Sequence, residues 1–190
     1  MFAFKYKYYL YIENTKDLNL NLIKKRNKFI IILRNTKKSQ NLSELKYFRQ
    51  KCRAKGLQFY VANNLSLANE LKADGLYLSS YNQSTKHLNQ SKYKFNVIGS
   101  AHNLKEINLK KKQGCKKVIL SRLFETNYIY KKKFLGIVRY NTLAYASNVV
   151  TIALGGIRTK NLNSLKMVSS NFIALLSEVK KKPTITSRLF

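Results

Sequence analysis

The chain has 190 residues, of which 45% are hydrophobic, with seven glycines and one proline. This length and composition predict one globular domain with a substantial core and exclude long disordered linkers. No apolar run approaches the ~20 residues that a transmembrane helix needs, and the basic N-terminus lacks the hydrophobic segment of a secretory signal. Two cysteines, Cys52 and Cys115, are too few for a disulfide framework. We therefore expect reduced thiols, no membrane partner and a cytoplasmic location.

The charge is strongly unbalanced, with 37 lysines and arginines against eight acidic residues and a net charge of +29. Such an excess is typical of nucleic-acid-binding proteins. The lysines, however, are spread over nearly every predicted element, and the chain is rich in Asn, Ile and Tyr, as in proteins from AT-rich genomes. We interpret the charge as compositional bias, and we expect small anions rather than nucleic acid as binding partners.

Short apolar runs alternate with helical patterns along the chain. The predicted strands are Tyr8–Ile12, Phe29–Leu33, Leu57–Val61, Leu76–Leu78, Phe95–Ile98, Lys117–Leu120, Val149–Leu154 and a run within Asn171–Glu178. Helical spacing covers Asp17–Lys28, Leu42–Lys55, Leu65–Leu71, Leu104–Lys112, Ile137–Ala146 and Leu162–Val168. The polar stretch Tyr81–Lys94 shows no convincing helical period. The alternation predicts an α/β fold.

The positions of polar residues distinguish a barrel from an open doubly wound sheet, which shares the same alternation. Polar residues or glycines follow the predicted strands at Arg34, Asn63, Ser79, Ser80, Ser100, Ser121, Gly156 and Ser177. In a barrel these positions converge on one face, where the active site lies. We therefore predict a compact (β/α)₈ TIM barrel over residues 1–183, with short helices and a reduced last helix, and a short tail at 184–190.

One predicted strand stops abruptly at Gly155-Gly156. A helical pattern follows, with Thr159 or Asn161 as its cap. Glycines at such a turn expose backbone N–H groups, and a helix N-terminus behind them completes a phosphate site. An ordinary strand-to-helix turn is the alternative. Because the next strand ends at Ser177, the pair matches the late-strand phosphate site of a (β/α)₈ barrel.

Four motifs in chain order carry a family resemblance. They are Ala-Asp-Gly-Leu-Tyr-Leu at 73–78, Ile-Gly-Ser-Ala-His at 98–102, Ser-Arg-Leu-Phe-Glu-Thr at 121–126 and Ala-Leu-Gly-Gly-Ile at 153–157. Together with Leu135-Gly136 they resemble the motifs of the thiamine phosphate synthase/TenI family of barrels. The resemblance covers nearly the whole chain.

A synthase of this family joins an aminopyrimidine pyrophosphate to a thiazole phosphate and releases pyrophosphate. The resemblance implies this activity here, with small phosphorylated thiazole and pyrimidine substrates as partners. It assigns the substrate phosphate to Gly155, Gly156, Ser177 and Thr126, and the catalytic handling of pyrophosphate to Arg34, Ser100 and Lys37. For Ser100 and Ser177, a hydroxyl that caps the next helix is the alternative.

The chain departs from the family pattern at the metal site. The resemblance implies Mg²⁺, but the two metal-binding aspartates fall at Asn63 and Asn82. Mg²⁺ prefers carboxylate oxygens, so these amides form a degenerate site and put the cofactor in doubt.

TenI-like members of the family isomerise the thiazole with a histidine that falls here at Arg122. A guanidinium cannot act as a general base. His102 can reach the same mouth, although a lone histidine after a strand is more often a structural hydrogen-bonding group. A thiazole tautomerase and a non-catalytic phosphate-ligand binder therefore remain as alternatives to the synthase.

Overall fold

A computed structural model of the protein describes residues 7–23, 27–34, 41–90, 95–126 and 133–176. Eight parallel strands pair in sequence order, and the last pairs with the first, which closes a barrel. The strands are β1 Lys7–Ile12, β2 Phe29–Leu33, β3 Gln58–Ala62, β4 Gly75–Leu78, β5 Asn96–Ala101, β6 Lys117–Ser121, β7 Val150–Leu154 and β8 Phe172–Leu175. This architecture confirms the predicted TIM barrel.

The helices around the barrel are α1 Leu42–Ala54, α2 Leu65–Glu70, α3 Lys86–Gln90, α4 Leu104–Lys112 and α5 Gly136–Ser147. Helix α1 begins where the Asn41 side chain accepts a hydrogen bond from the Ser43 N–H, and it ends before Gly56, whose φ is 65°. Both ends use standard capping chemistry, which is why the sequence pattern predicted this helix well. None of the described helices is long and apolar enough to span a bilayer.

The helix predicted over Asp17–Lys28 is wrong within the described part of that range. The chain there forms two 3₁₀ turns, Thr15–Asp17 and Leu20–Leu22. The side chains of Asn14 and Asn19 each accept a hydrogen bond from the N–H two residues ahead. Such local bonds compete with a continuous helix.

The helical pattern after β7 also folds differently from the prediction. Residues Thr159–Asn161 and Asn163–Met167 form 3₁₀ turns, and no α-helix is found between β7 and β8, a segment that the structure describes throughout. By contrast, α3 lies in the polar stretch where no helix was predicted. Both departures concern helical segments of only a few residues. The spacing of apolar residues is a weak signal over such short lengths.

Large side chains fill the interior of the barrel. The inward-facing core contains four tyrosines and several isoleucines: Tyr9, Tyr11, Tyr60, Tyr77, Ile30, Ile32, Ile98, Ile119 and Ile152. The rings of Tyr11 and Tyr77 pack nearly perpendicular, with 5.5 Å between centroids. A second apolar cluster lies between the strands and the outer layer. The barrel is therefore a packed core whose accessible chemistry lies at its ends.

A buried lysine fixes the chain segment that follows β4. Lys110 on α4 is fully buried, and its Nζ donates to the Asn82 carbonyl at 2.6 Å and to Gln113 Oε1 at 2.9 Å. Its aliphatic stem crosses β5 at Gly99, where an added Cβ would lie 2.7 Å from the lysine Cδ. Burial lowers the pKa of Lys110, while Cys115 and Glu106 oppose that shift.

Candidate functional site at the mouth of the barrel

The Gly155-Gly156 turn lies against the loop that follows β6. Both glycines have positive φ, 105° and 67°. The loop continues the sheet ladder beyond the strands, because the Phe124 N–H donates to the Gly155 carbonyl at 3.0 Å. A Cβ on Gly156 would lie 2.4 Å from the Glu125 carbonyl oxygen. Gly156 is therefore required because the turn after β7 and the loop after β6 approach each other closely. The sequence did not reveal this contact.

Asn161 braces this turn from the following segment. Its Nδ2 donates to the Gly156 carbonyl at 2.7 Å, and its Oδ1 accepts from the Arg158 N–H at 2.8 Å. The predicted role of Asn161 or Thr159 as an α-helix cap is wrong, because only a 3₁₀ turn follows. Among the described residues, the N–H groups of Gly155 and Gly156 have no hydrogen-bond acceptor. The turn can thus bind an anion through its backbone, without an α-helix behind it.

Arg122 ties together the two ends of the loop after β6. One guanidinium nitrogen donates to Thr126 Oγ1 and another to the Lys133 carbonyl, each at 2.6 Å. Its side chain also passes close to Gly155, where an added Cβ would lie 2.9 Å from the Arg122 Cβ. Arg122 and Thr126, two of the sequence-predicted residues, are therefore brought together beside the glycine turn.

Arg34 lies immediately after β2, and its N–H donates to the Ile12 carbonyl at 2.8 Å. Burial raises the pKa of the Tyr11 hydroxyl, and the positive charge of Arg34 opposes that rise. Arg34 thus acts electrostatically on Tyr11, whose hydroxyl is buried and whose ring packs against that of Tyr77. Lys37 and Ser177, which were predicted as partners of this site, lie outside the described residues.

Ser100 lies on the inner face of β5 and is largely buried. Tyr77 donates its hydroxyl hydrogen to Ser100 Oγ at 2.9 Å. The serine hydrogen is then available for an acceptor at the mouth. Ser100 does not cap α4, because Asn103 does so by accepting from the Glu106 N–H at 2.9 Å.

His102 pairs with a carboxylate at the start of α4. Its Nδ1 lies 2.9 Å from Glu106 Oε2, which also accepts from the His102 N–H at 2.9 Å. Burial alone would raise the pKa of Glu106, but the hydrogen bonds and charge of His102, with a bond from Asn103, lower it. The histidine is thus part of the helix-capping network, with Nε2 left available.

The two residues at the expected metal positions bind each other. Asn63 Oδ1 accepts from the Asn82 Nδ2 at 3.0 Å, from the Ser79 N–H at 2.9 Å and from Ser79 Oγ at 3.1 Å. Asn82 Oδ1 accepts from the Ser84 N–H at 2.8 Å. The Asn63 oxygen is therefore fully engaged, and the Asn82 oxygen already accepts one hydrogen bond.

Carboxylates do not replace them. Within the ranges that the structure describes, no three His, Cys, Asp or Glu side chains are grouped closely enough to hold a metal ion. A hard dication needs several free oxygens, preferably charged. The described residues at this position do not fit Mg²⁺.

Sequence reasoning missed the residues that support the site from inside the barrel. Tyr11 and Tyr77 are buried inside the barrel, where Tyr77 contacts Ser100, and the strand alternation of β1 and β4 was the available signal. The bracing role of Asn161 depends on a tertiary contact with the Gly156 carbonyl, and no local pattern indicated it.

The closed parallel barrel, with polar residues and a glycine turn after its strands, defines the class as a (β/α)₈ protein with its site at the carboxyl ends of the strands. A family model described as thiamine monophosphate synthase matches residues 11–179. The chain belongs to this family.

Relatives agree with this membership, and a solved structure agrees with the fold. A thiamine-phosphate synthase from Methanococcus vannielii is 25% identical over 146 residues, which cover 75% of this chain and 71% of the relative. One from Prochlorococcus marinus strain AS9601 is 30% identical over 140 residues, which cover 73% of this chain but only 40% of the relative. A thiamine phosphate pyrophosphorylase from Pyrococcus furiosus aligns with 100% of this chain and 95% of its own, with a TM-score of 0.72 and 17% identity. That last likeness supports the fold alone.

Proposed function

We propose that this protein is a thiamine phosphate synthase-like transferase, which joins an aminopyrimidine pyrophosphate to a thiazole phosphate and releases pyrophosphate. The observation that carries the proposal is the glycine turn at the barrel mouth, in a chain of the synthase family. Its two N–H groups without acceptors lie beside the loop of Arg122 and Thr126. Backbone N–H groups in a left-handed turn are suited to a phosphate.

In this proposal, the turn binds the thiazole phosphate and Thr126 adds a hydroxyl donor. Arg34, after β2, and Ser100, on β5, bind the pyrophosphate. As the bond to the leaving oxygen breaks, negative charge develops on the pyrophosphate, and the guanidinium of Arg34 stabilises that charge. Tyr77 orients Ser100 by occupying its acceptor site. Lys37 and Ser177 belong to the same proposal through the resemblance.

No step in this proposal uses a metal ion, because Asn63 and Asn82 supply only uncharged amide oxygens that already accept internal hydrogen bonds. We infer that phosphate groups bind this protein without Mg²⁺. Cationic side chains such as Arg34 take over part of the neutralisation that a metal supplies.

The tautomerase alternative is not favoured. The corresponding position is Arg122, whose guanidinium is engaged with Thr126 and the Lys133 carbonyl. A guanidinium offers no acceptor site for a proton, so Arg122 cannot act as the base. The two cysteines are free and buried, which is consistent with the proposed cytoplasmic location.

The deciding experiment incubates the purified protein with the pyrimidine pyrophosphate and the thiazole phosphate, with Mg²⁺ or with a chelator, and measures thiamine phosphate. We expect product in both conditions. Product only with Mg²⁺ contradicts the metal-independent part of the proposal. If no product forms but the thiazole phosphate binds, the protein is a phosphate-ligand binder.

A further inference from the structure

One segment of the barrel is almost free of charge in a chain that otherwise carries a large positive excess, although Lys166 follows it in sequence, beside Met167. From Phe134 to Ile157 there is a single charged residue, Arg139, whereas the whole chain has 37 lysines and arginines. This segment contains α5 and β7. Helices α1 and α4, by contrast, each carry four basic residues. Lysine-rich surfaces of two copies repel each other, so this side is the least repulsive one for self-association.

The uncharged side also exposes large apolar groups. Val138 and Tyr145, seven residues apart on one face of α5, are 82% and 89% exposed. Met167 and Val150 beside them are 62% and 46% exposed. Asn141, between the two α5 residues, links the helix to the neighbouring segment by donating to the Met167 carbonyl at 2.8 Å. We call this surface, formed by Val138, Tyr145, Val150 and Met167, the α5 face.

A cavity of about 490 Å³ opens on the α5 face. Its lining includes Tyr145, Val150, Val168 and Phe172. It forms where the connection from β7 to β8 contains only 3₁₀ turns in place of a long helix. The face therefore presents projecting side chains next to a recess, the combination that a self-complementary interface needs.

We propose that the α5 face is the interface of a homodimer with two-fold symmetry. A two-fold axis near Asn141 and Thr142 sets two α5 helices antiparallel, since these residues lie midway between Val138 and Tyr145. Val138 of one copy then packs on Tyr145 and the recess of the other, and the reverse contact follows from the symmetry. An anionic partner would bind the lysine-rich sides of the barrel more strongly than the α5 face. We therefore assign the α5 face to a second copy of the protein.

The test is sedimentation velocity of the full chain over a range of concentrations and salt. We expect a dimer that strengthens as salt rises, because salt screens the repulsion between two highly cationic copies and leaves apolar contacts intact. Tyr145→Lys and Val138→Lys should each raise the dissociation constant by about tenfold or more. The matched control is Tyr47→Lys, since Tyr47 on α1 is also exposed, at 59%, but lies on a lysine-rich helix.

Cross-linking tests the position of the axis. Thr142→Cys should form a disulfide-linked dimer under mild oxidation, while the parent should not, because Cys52 and Cys115 are both buried. A monomer at all concentrations overturns the proposal. So does a dimer that is unaffected by the two α5 substitutions, since another face then forms the interface. Circular dichroism of each variant establishes that the chain is folded.

Discussion

The two arginines at the mouth, Arg122 and Arg34, differ in whether their side chains already make hydrogen bonds within the protein. The guanidinium of Arg122 is held by two hydrogen bonds within its loop. Arg34 makes no side-chain hydrogen bond among the described residues and lies near a buried tyrosine hydroxyl. Arg122 is therefore a positioning residue, whereas Arg34 is available for a ligand anion.

Arg34→Ala should lower kcat/KM for thiamine phosphate formation by roughly 10²-fold or more, because it removes charge that stabilises the departing pyrophosphate. Arg34→Lys should recover part of the loss, since it restores charge without the planar fork. Steady-state kinetics with both substrates measures the effect. Unchanged kinetics in Arg34→Ala would remove this residue from the proposed site.

Glu106 links the mouth to the stability of α4. Because its pKa is lowered in the folded protein from an ordinary 4.5, its contribution is present above pH 4.5 and is lost as the pH falls through the lowered value. Glu106→Gln should therefore lower the melting temperature at neutral pH, with the gap narrowing in acid. The control is Glu70→Gln, which removes an exposed 3.0 Å pair with Lys46 and should change little. If the melting temperatures of Glu106→Gln and the parent differed equally at pH 3 and pH 7, the stabilising role of the Glu106 carboxylate would be contradicted.

At the scale of elements, the strands were predicted closely and the short helical pieces were not. Phe29–Leu33 was predicted residue for residue, because a β-branched run bounded by polar residues has few alternatives. Leu20–Leu22 and Thr159–Asn161 depend on asparagine side chains that bond locally, and the periodicity of apolar residues does not record those bonds. The candidate site followed the same division. Strand ends were identified, but the Asn63–Asn82 network and the Gly156 contact depend on partners distant in sequence.

The packing of α4 on β5 makes a testable pair. Gly99→Ala should destabilise the protein by about 1–3 kcal/mol, because the new Cβ would lie 2.7 Å from the Lys110 Cδ. Lys110→Ala removes that stem but leaves the Asn82 carbonyl without its donor, so it also destabilises. In the double variant the contact with the Lys110 stem is removed, although Cys115 Sγ still lies 3.0 Å from the new Cβ. The double variant should therefore be destabilised by less than the sum of the two single variants. Denaturant unfolding of the four proteins measures this coupling, and strict additivity would refute it.

At the scale of the whole molecule, the phosphate turn and the lost metal site should respond separately to ligands. Thiazole phosphate or inorganic phosphate should raise the melting temperature, because a ligand that binds only the folded state stabilises it. Mg²⁺ alone should have almost no effect, since the oxygens of Asn63 and Asn82 are occupied. Differential scanning fluorimetry with matched sodium and magnesium salts separates the two. Stabilisation by Mg²⁺ without phosphate would show that the site is misplaced.

The tyrosine-filled interior has an optical consequence. The chain has 13 tyrosines and no tryptophan, so its near-ultraviolet absorbance reports tyrosine ionisation alone among the aromatics. Burial raises the pKa of Tyr60 to about 12, with Asp74 adding to the shift, and burial raises that of Tyr9 further. An alkaline titration should therefore show the buried rings of Tyr60 and Tyr9 ionising only well above the ordinary tyrosine pKa of 10.

The same shifts limit the stability of the barrel in base. A tyrosine whose folded pKa is raised stabilises the fold below pH 10, and this contribution is lost as the pH rises toward 12. The late tyrosinate signal should consequently coincide with loss of secondary structure in circular dichroism. Ionisation of every ring in one early step, with the fold intact, would mean that water reaches the barrel interior. The tyrosine absorbance of the protein therefore reports whether water is excluded from the barrel interior.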